Sequence, residues 1–505
     1  MLKQFLQKTL KKIPTVPEES STEEIDKKQS NLNASLKKNL DLFKEIYQYP
    51  LNTDIQFREF LLGNRKALLI FIDTITKTDI VEDHILTPLL ASEDTNKKIE
   101  DSIPVKSIIT KTVVKDILIE ISKGYIALFI DGEEKAYLFS APNFEGRNIE
   151  KSENETVVKG PKEAFNELSS TNISMIRKKI KSESLVVESS VISQRSNNDV
   201  YILYLSDVVN DKMLSNVRER LKKIEVDTVQ TLGLLEQRIE ERPKSIFPTI
   251  LFTERPDRAA SYIEDGYIVL LMDNSPASLV LPATFWSFYH SSEDHYLRFP
   301  YGNFTRMLRL LALFMTLFIS AAYVAIVTYH AEMIPPDLLL AIAATREKVP
   351  FPAAVEVLMM ELAFELIREA GLRVPSPIGP TIGIVGALIL GQAAVQANIV
   401  SPIVVIVVAL GGLSSFAIGD LSMNFAVRMS RFLLLLAASF FGIYGIAALF
   451  TVGIFYLVSI KSFGVPYLSP LTPKYVSSKD TIFRRLLQNE FFRPGYVKPK
   501  DIKKQ

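Results

Sequence analysis

Five charged side chains interrupt an apolar run, "VEVLMMELAFELIREAG", at residues 355–371. They are Glu356, Glu361, Glu365, Arg368 and Glu369. On a helical wheel the last four share one arc, whereas Glu356 falls among the apolar side chains. An ionised carboxylate facing lipid costs several kcal/mol, so the arc must face water, a protein partner or a pore vestibule. A pair between Glu365 and Arg368 at i, i+3 leaves surplus negative charge, which would concentrate cations.

The same helix has a second interpretation, as an amphipathic helix lying at the level of the lipid headgroups. Glu356 would then be stabilised near the helix start, behind Pro350 and Pro352. The residues do not decide between this interfacial position and the vestibule.

The following apolar stretch carries small and amide side chains instead of charges. Gly383, Ala387 and Gly391 recur every four residues, the seam that lets transmembrane helices approach closely. Gln392 and Gln396 add a polar strip without charge. Val385 and Gly386 lie within this candidate pore region. Close packing and pore lining are both compatible with the pattern, and an oligomer could use both.

Catalysis has no support in the sequence. The chain has no Cys and four His, which excludes thiol chemistry and iron–sulfur sites and weakens a zinc interpretation. It contains no phosphate-binding loop, dinucleotide fingerprint or Ser/His/Asp signature. A net charge of +1 gives no case for nucleic-acid binding. We therefore predict neither a cofactor nor a metal.

The distribution of charge divides the chain into a soluble part and a membrane part. Residues 307–460 hold only 15 of the 115 charged side chains. Residues 310–329 predict one membrane span, residues 374–419 two more (381–397 and 403–418), and residues 432–460 a fourth. From Lys461 on there are ten Lys or Arg against three acids, which places the carboxyl end in the cytoplasm. Both ends inside require an even number of crossings, so the glutamate-bearing helix would be re-entrant or interfacial.

Two similar patterns occupy the soluble part. A glycine, a buried strand, an Asp-led turn and a second strand occur around Asp131 and again around Asp273. Upstream of each lies another strand followed by Asp, at Asp73 and Asp207. We interpret these aspartates as turn or helix caps in two related subdomains of a binding or assembly module. A basic helix within residues 160–185 is interpreted as a solvated face, with a contact between subunits as the alternative.

The predicted fold is an α/β soluble N-terminal region of two related subdomains followed by an all-α polytopic membrane domain. Its parts are a flexible segment (1–40), subdomain 1 (41–150), subdomain 2 (151–300), the transmembrane domain (301–465) and a basic cytoplasmic tail (466–505).

Several stretches of the chain closely resemble the A subunit of the GerA family of spore germination receptors. The resemblance runs from about residue 60 to 475, and the stretches that carry it are "GPKEAFNELSSTNISMIRKKI", "EDHYLRFPYGNFTRMLR", "VPFPAAVEVLMMELAFELIREAGLRVP", "IGPTIGIVGALILGQAAVQANIVSPIVVIVVAL" and "SFGVPYLSP". Two departures stand out: His295 replaces a Tyr of the family pattern, and Asp420 introduces an acid after "FAIG".

The resemblance implies a multi-pass protein of the spore inner membrane with cytoplasmic N-terminal domains. It implies a transporter-like B subunit and a lipoprotein C subunit as partners, and a homo-oligomer of A subunits that forms a nutrient-gated channel for monovalent cations. The family glutamates correspond to Glu356, Glu361, Glu365 and Glu369, and the pore region to residues 382–397. Two alternatives stay open: an accessory subunit like the stage V sporulation AF paralogue, and a scaffold without a pore.

Overall fold

The computed structural model describes residues 27–91, 103, 108–143, 152, 155, 157–373, 379–475 and 480–504. Its amino-terminal half contains two five-stranded sheets, and every strand pair in them is antiparallel. The α/β prediction therefore holds for the mixed composition but not for the parallel strands that this class usually has. Around the first sheet the elements are α1 (Leu36–Ile46), β1 (Ile55–Leu62), β2 (Arg65–Ile72), α2 (Thr87–Ala91), β3 (Ile108–Lys111), α3 (Val114–Ile121), β4 (Tyr125–Ile130) and β5 (Ala136–Ser140).

The second sheet has the same strand order as the first. The orders are β1-β2-β4-β5-β3 and β6-β7-β9-β10-β8, so each strand occupies the corresponding position in its own sheet. The elements are α4 (Ser169–Lys179), β6 (Leu185–Ile192), β7 (Asn198–Leu205), α5 (Asp211–Lys222), α6 (Leu232–Ile239), β8 (Leu251–Thr253), α7 (Pro256–Glu264), β9 (Ile268–Met272), β10 (Ser278–Leu281), α8 (Phe285–Tyr289) and α9 (Glu293–Tyr296).

The hairpin aspartates repeat as well, and their role is structural. Asp131 accepts a hydrogen bond of 3.0 Å from the backbone N–H of Leu36 at the start of α1. Asp273 accepts one of 2.8 Å from the backbone N–H of Ser169 at the start of α4. Each carboxylate thus satisfies an orphan donor of the helix that opens its own unit. Reciprocally bonded asparagines span the start of each helix, Asn33 with Asn39 at α1 and Asn166 with Asn172 at α4.

The predicted flexible segment is too long at its carboxyl end. Residues 1–26 lie outside the described residues, but Leu32 and Leu36 are buried in the core of the first sheet. The boundary predicted at residue 150 also lies outside the described residues.

Helix α4 joins the two units rather than facing solvent. Arg177 is buried on α4 and forms an ion pair with buried Asp54, at the start of β1. Lys178 and Lys179 pair with Glu163. The prediction of a solvated basic face is therefore wrong for Arg177, because a pair between two buried charges links the subdomains within one chain.

The carboxyl-terminal half is helical. Its elements are α10 (Phe299–Tyr329), α11 (Pro336–Arg346), α12 (Ala353–Arg373), α13 (Gly379–Gln396), α14 (Pro402–Ser415) and α15 (Leu421–Ser459), followed by a small hairpin of β11 (Lys461–Ser462) and β12 (Val465–Pro466). Among the described residues, α10 and α15 are long and apolar enough to cross a membrane. The break predicted between the two helices of residues 374–419 falls where α13 gives way to α14.

Helix α15 reverses at Gly442. The apolar run at residues 432–460 predicts one tilted helix, but Gly442 has φ 61° and ψ −142°, outside the helical region. Met423 and Ile460, near opposite ends of α15, both lie in the core cluster of the second sheet. Phe450 meets Phe318 of α10 at a centroid distance of 5.1 Å. The two halves of α15 therefore run in opposite directions beside α10.

With this reversal the number of long helical segments is even, as the prediction of both chain ends on one side requires. Apart from the short helix α11, residues 299–373 and 379–459 form six helical segments: α10, α12, α13, α14 and the two halves of α15. Helix α12 is thus a full member of the layer, because Glu356 lies at the start of α14 and Arg368 at its end.

The carboxyl-terminal tail packs back onto the second sheet. Tyr467 and Val497 are buried in its core cluster, and the Tyr267 and Tyr496 hydroxyls are 2.7 Å apart. Arg306 of α10 lies between Asp294 and Asp480, so the tail also meets the first helix of the layer.

Candidate functional site

Glu361 lies at the centre of the helical layer. Its side chain is 1% exposed, and one carboxylate oxygen accepts a 2.6 Å hydrogen bond from the Ser320 hydroxyl of α10. The other oxygen lies 2.7 Å from a terminal guanidinium nitrogen of Arg431, on α15. One carboxylate therefore holds α10, α12 and α15 together.

The next two charges on α12 do not pair with each other. Glu365 forms an ion pair with Arg428, and Arg431 is 3.7 Å away. Arg368 donates instead to the Gly412 carbonyl at 3.0 Å and to the Ser415 hydroxyl at 2.6 Å. The predicted Glu365–Arg368 pair is therefore wrong, because other helices provide partners for both side chains.

Glu356 is fully buried near the start of α12. One oxygen accepts from the Ser401 backbone N–H at 3.0 Å, and the other lies 3.2 Å from Arg346 Nε. The carboxylate thereby satisfies an orphan donor at the start of α14. Its position among apolar neighbours in the sequence reflects contact with α11 and α14.

The four acids on α12 are matched by basic groups. Glu356, Glu361 and Glu365 lie beside Arg346, Arg431 and Arg428, and Glu369 is exposed near the end of the helix, which also carries Arg368 and Arg373. The surplus of negative charge expected from α12 alone is therefore absent when the neighbouring helices are counted.

Exposure on α12 is inverted relative to a soluble protein. Glu361 is buried, whereas Leu362 is 50% and Leu366 65% exposed. Soluble helices bury the leucines and expose the glutamates. The pattern is typical of a helix whose outer surface contacts an apolar medium or another subunit.

Helix α13 packs on its neighbours through glycines. A Cβ at Gly391 would lie 3.4 Å from Val405 of α14, and one at Gly386 would lie 3.9 Å from Ile367 of α12. The side chains of Gln392 and Gln396 are exposed. The side-chain surroundings of Gly383, Val385 and Ala387 lie outside the described residues, so the small-residue seam stays a prediction at those positions.

Two arginines that complete the site are not among the residues that the sequence singles out. Arg428 and Arg431 are three residues apart on α15, immediately before the apolar run that predicts a span from residue 432. One signal in the sequence could have identified them, because buried charges on one helix of an apolar layer require opposite charges on another.

The two departures from the family pattern lie where the helical layer meets the second sheet. Asp420 caps α15 and accepts from the Met423 backbone N–H at 2.8 Å. His295 lies 3.6 Å from Asp480. Among the described residues, no group of three or more His, Asp or Glu could hold a metal ion.

Comparison with known proteins gives one consistent result. The model of the Bacillus/Clostridium GerA spore germination protein family matches residues 41–496. Spore germination protein KA of Bacillus subtilis (strain 168) is 37% identical over 484 residues, which cover 94% of this chain and 89% of that protein. The uncharacterized membrane protein YfkQ of the same organism is 35% identical over 477 residues, 93% of each chain.

A solved structure also matches the amino-terminal half. It is the crystal structure of the N-terminal domain of the A subunit of the Bacillus megaterium spore germinant receptor GerK3, with 30% identity and a TM-score of 0.41 over 51% of this chain and 98% of that one. The family match extends beyond this region, across both sheets and the helical layer.

Proposed function

The chain belongs to the GerA family of spore germination proteins, and from this premise we propose that it is the A subunit of a nutrient-sensing germination receptor. In this proposal, copies of the chain oligomerise in the spore inner membrane and form a nutrient-gated channel for monovalent cations. A transporter-like B subunit and a lipoprotein C subunit complete the receptor, and the two sheet-containing units lie in the cytoplasm. Nucleic acid has no part in it.

The inverted exposure of α12 supports the membrane location. Leu362 and Leu366 face outward, while Glu361 is buried against Ser320 and Arg431. In an apolar medium this arrangement leaves the ionised groups paired and the leucines in contact with lipid or protein. All six helical segments then cross, and both ends of the helical layer return to the same side.

The observation that carries the channel proposal is the position of α13. This helix packs on α12 and α14 through Gly386 and Gly391, and it leaves Gln392 and Gln396 exposed. Exposed amides facing acyl chains would lose their hydrogen bonds to water, at a cost of a few kcal/mol. A ring of subunits with α13 at its axis supplies those amides with water and lines a pore with small and neutral polar side chains.

The charges on α12 have a supporting role in this proposal. Glu361 and Glu365 tie α12 to α15, so they fix the helix against which α13 rests. A vestibule role for Glu356, Glu361, Glu365, Arg368 and Glu369 stays a prediction. In that role Glu369, which is exposed, has the most direct access to passing cations.

Substitutions that change the size of small side chains on α13 test whether this helix lines a pore. Alanine at Gly386 has room within the subunit, because the added Cβ lies 3.9 Å from its nearest neighbour. If Gly386 faces a pore, Gly386→Ala changes cation release from germinating spores while receptor abundance stays constant. Gly453→Ala on α15 is the matched control, since nothing lies within 4 Å of its added Cβ. Val385→Ala or Val385→Ser extends the series. Unchanged release with intact protein in all of these variants would contradict a pore role.

One observation favours the alternative, an accessory or scaffold subunit without its own pore. Glu356, Glu361 and Glu365 each lie beside an arginine, so these three buried or partly buried acids leave no negative surplus that attracts cations. Genes for B and C subunits beside this one would favour the receptor over an accessory paralogue. Ion release that is unaffected by every α13 substitution would favour the scaffold.

A further inference from the structure

A cavity of about 360 Å³ lies between α7 and the carboxyl-terminal tail. Its lining comes from α7, α8, α9 and the tail, and it includes aromatic walls from Tyr262, Phe492 and Tyr496. This volume falls within the range of small-molecule sites, which is about 300–1,000 Å³. The cavity is remote from the charged cluster on α12, which lies within the helical layer.

Two deeply buried polar side chains in its lining have atoms without a partner. Asp257 is 7% exposed; its Oδ2 accepts from Arg255 at 2.8 Å and from the Tyr296 hydroxyl at 2.6 Å, but its Oδ1 accepts nothing. Trp286 is 6% exposed, and its indole N–H has no acceptor. Leaving such groups unsatisfied costs about 1–3 kcal/mol each, so both call for a ligand or ordered solvent.

Three of the four carboxylates that line the cavity have ion-pair partners. Asp257, Asp265 and Asp480 pair with Arg255, Lys504 and Arg306. Glu490 is the fourth, and no ion pair joins it to any residue that the structure describes. Its Oε1 is buried and has no hydrogen-bond donor. Glu490 is therefore the lining carboxylate that can accept a cationic ligand.

The surroundings of Glu490 raise the pKa of its carboxyl group. Burial is the largest cause, Asp480 and Asp265 raise the pKa further, and Lys504 and Arg484 lower it. The two histidines in the lining do not supply the missing charge, because burial lowers the pKa of His290 to about 4 and lowers that of His295 as well.

We propose that this cavity binds a small molecule with one primary ammonium group and a hydrogen-bond-accepting oxygen. The ammonium donates to Glu490 and to the free oxygen of Asp257, and the oxygen accepts from the Trp286 indole. Aromatic side chains cover the methylene groups and add cation–π attraction. The site is independent of the proposed channel, although Asp480 belongs both to its lining and to the ion pair with Arg306 at the start of α10.

The only tryptophan of the chain, Trp286, reports on this cavity directly. Purified full-length protein in lipid–detergent micelles is titrated with 5-aminopentan-1-ol, and the tryptophan emission and the heat of binding are measured. We expect a saturable change in both. Pentane-1,5-diol has the same length without the charge, and tetramethylammonium has the charge without N–H donors, so both should bind at least tenfold more weakly. Potassium chloride at equal concentration controls for ionic strength.

Two variants of equal charge change test the assignment to Glu490. Glu490→Gln should weaken binding roughly tenfold by removing a charge-assisted hydrogen bond. Glu219→Gln should leave it unchanged, because Glu219 is 65% exposed on α5 and pairs with Lys223. The proposal is overturned if wild-type protein shows no saturable binding by either readout, if the diol or tetramethylammonium binds as tightly as the amine, or if the two variants bind alike. The comparison of probes on wild-type protein holds even if Glu490→Gln does not fold.

Discussion

Replacing Glu361 with glutamine should loosen the helical layer. The Ser320 hydroxyl keeps an acceptor in the amide, but Arg431 loses its 2.7 Å partner and retains only Glu365 at 3.7 Å. Removing one member of a buried ion pair costs about 3–5 kcal/mol. Because Glu365 still compensates part of the charge, we expect about 3 kcal/mol. In spores, the variant should slow nutrient-triggered germination.

A double-mutant cycle isolates the pair. Arg431→Met alone leaves Glu361 buried without its cation, whereas Glu361→Gln with Arg431→Met removes both charges and keeps side chains of similar size. We expect lower thermal unfolding midpoints for both single variants in detergent, and a midpoint closer to wild type for the double variant. Single variants at the wild-type midpoint, or shifts that add in the double variant, would refute the pairing. Germination is compared at equal receptor abundance, so that loss of protein is not mistaken for loss of function.

Three further predictions concern other parts of the chain. Gly442→Ala should lower the unfolding midpoint, with a cost of about 1–2 kcal/mol. The backbone at φ 61° is unfavourable for alanine, and the added Cβ would lie 3.1 Å from Tyr329. Gly453→Ala is the control and should leave the midpoint unchanged. Arg177→Met should destabilise the half that contains the two sheets by about 3–5 kcal/mol, measured by thermal unfolding of the full chain, whereas Lys178→Met, which removes a partly exposed charge, should cost under about 1 kcal/mol. Burial lowers the pKa of His290 from 6.5 to about 4. Between these two pH values the unfolded chain binds a proton that the folded chain does not, so the free energy of unfolding falls as the pH drops. His290→Gln should make the free energy of unfolding depend less on pH in this range, and an unchanged dependence would contradict this reasoning.

Local patterns predicted the fold where each element depends on its own residues. The strand, Asp turn and strand around Asp131 and Asp273 form hairpins in sheets of the same strand order, and the break near residues 398–402 separates α13 from α14. The reversal of α15 was missed because Gly442 is one glycine in an apolar run. Its positive φ becomes necessary only because Met423 and Ile460 pack in the same core.

The charged site was predictable in part. The sequence singles out the acids on α12 as unusual, since their cost in an apolar layer is a property of the residues themselves. Their partners were not predictable from spacing, because Arg428 lies 63 residues after Glu365 and Arg431 lies 70 residues after Glu361, and the pairs meet only through tertiary packing. The i, i+3 spacing predicts Arg368 as the local partner of Glu365, but Arg368 donates instead to the Gly412 carbonyl of α14.

The packing of the tail on the second sheet has a consequence for biogenesis. A ribosome completes the strands of that sheet more than 180 residues before it makes Tyr467 and Val497, which fill the same core. All of α10 to α15 is synthesised in between. The core of the second sheet can therefore close only after the last helix has been synthesised, so a nascent chain stalled within α15 would expose apolar surface to chaperones and proteases.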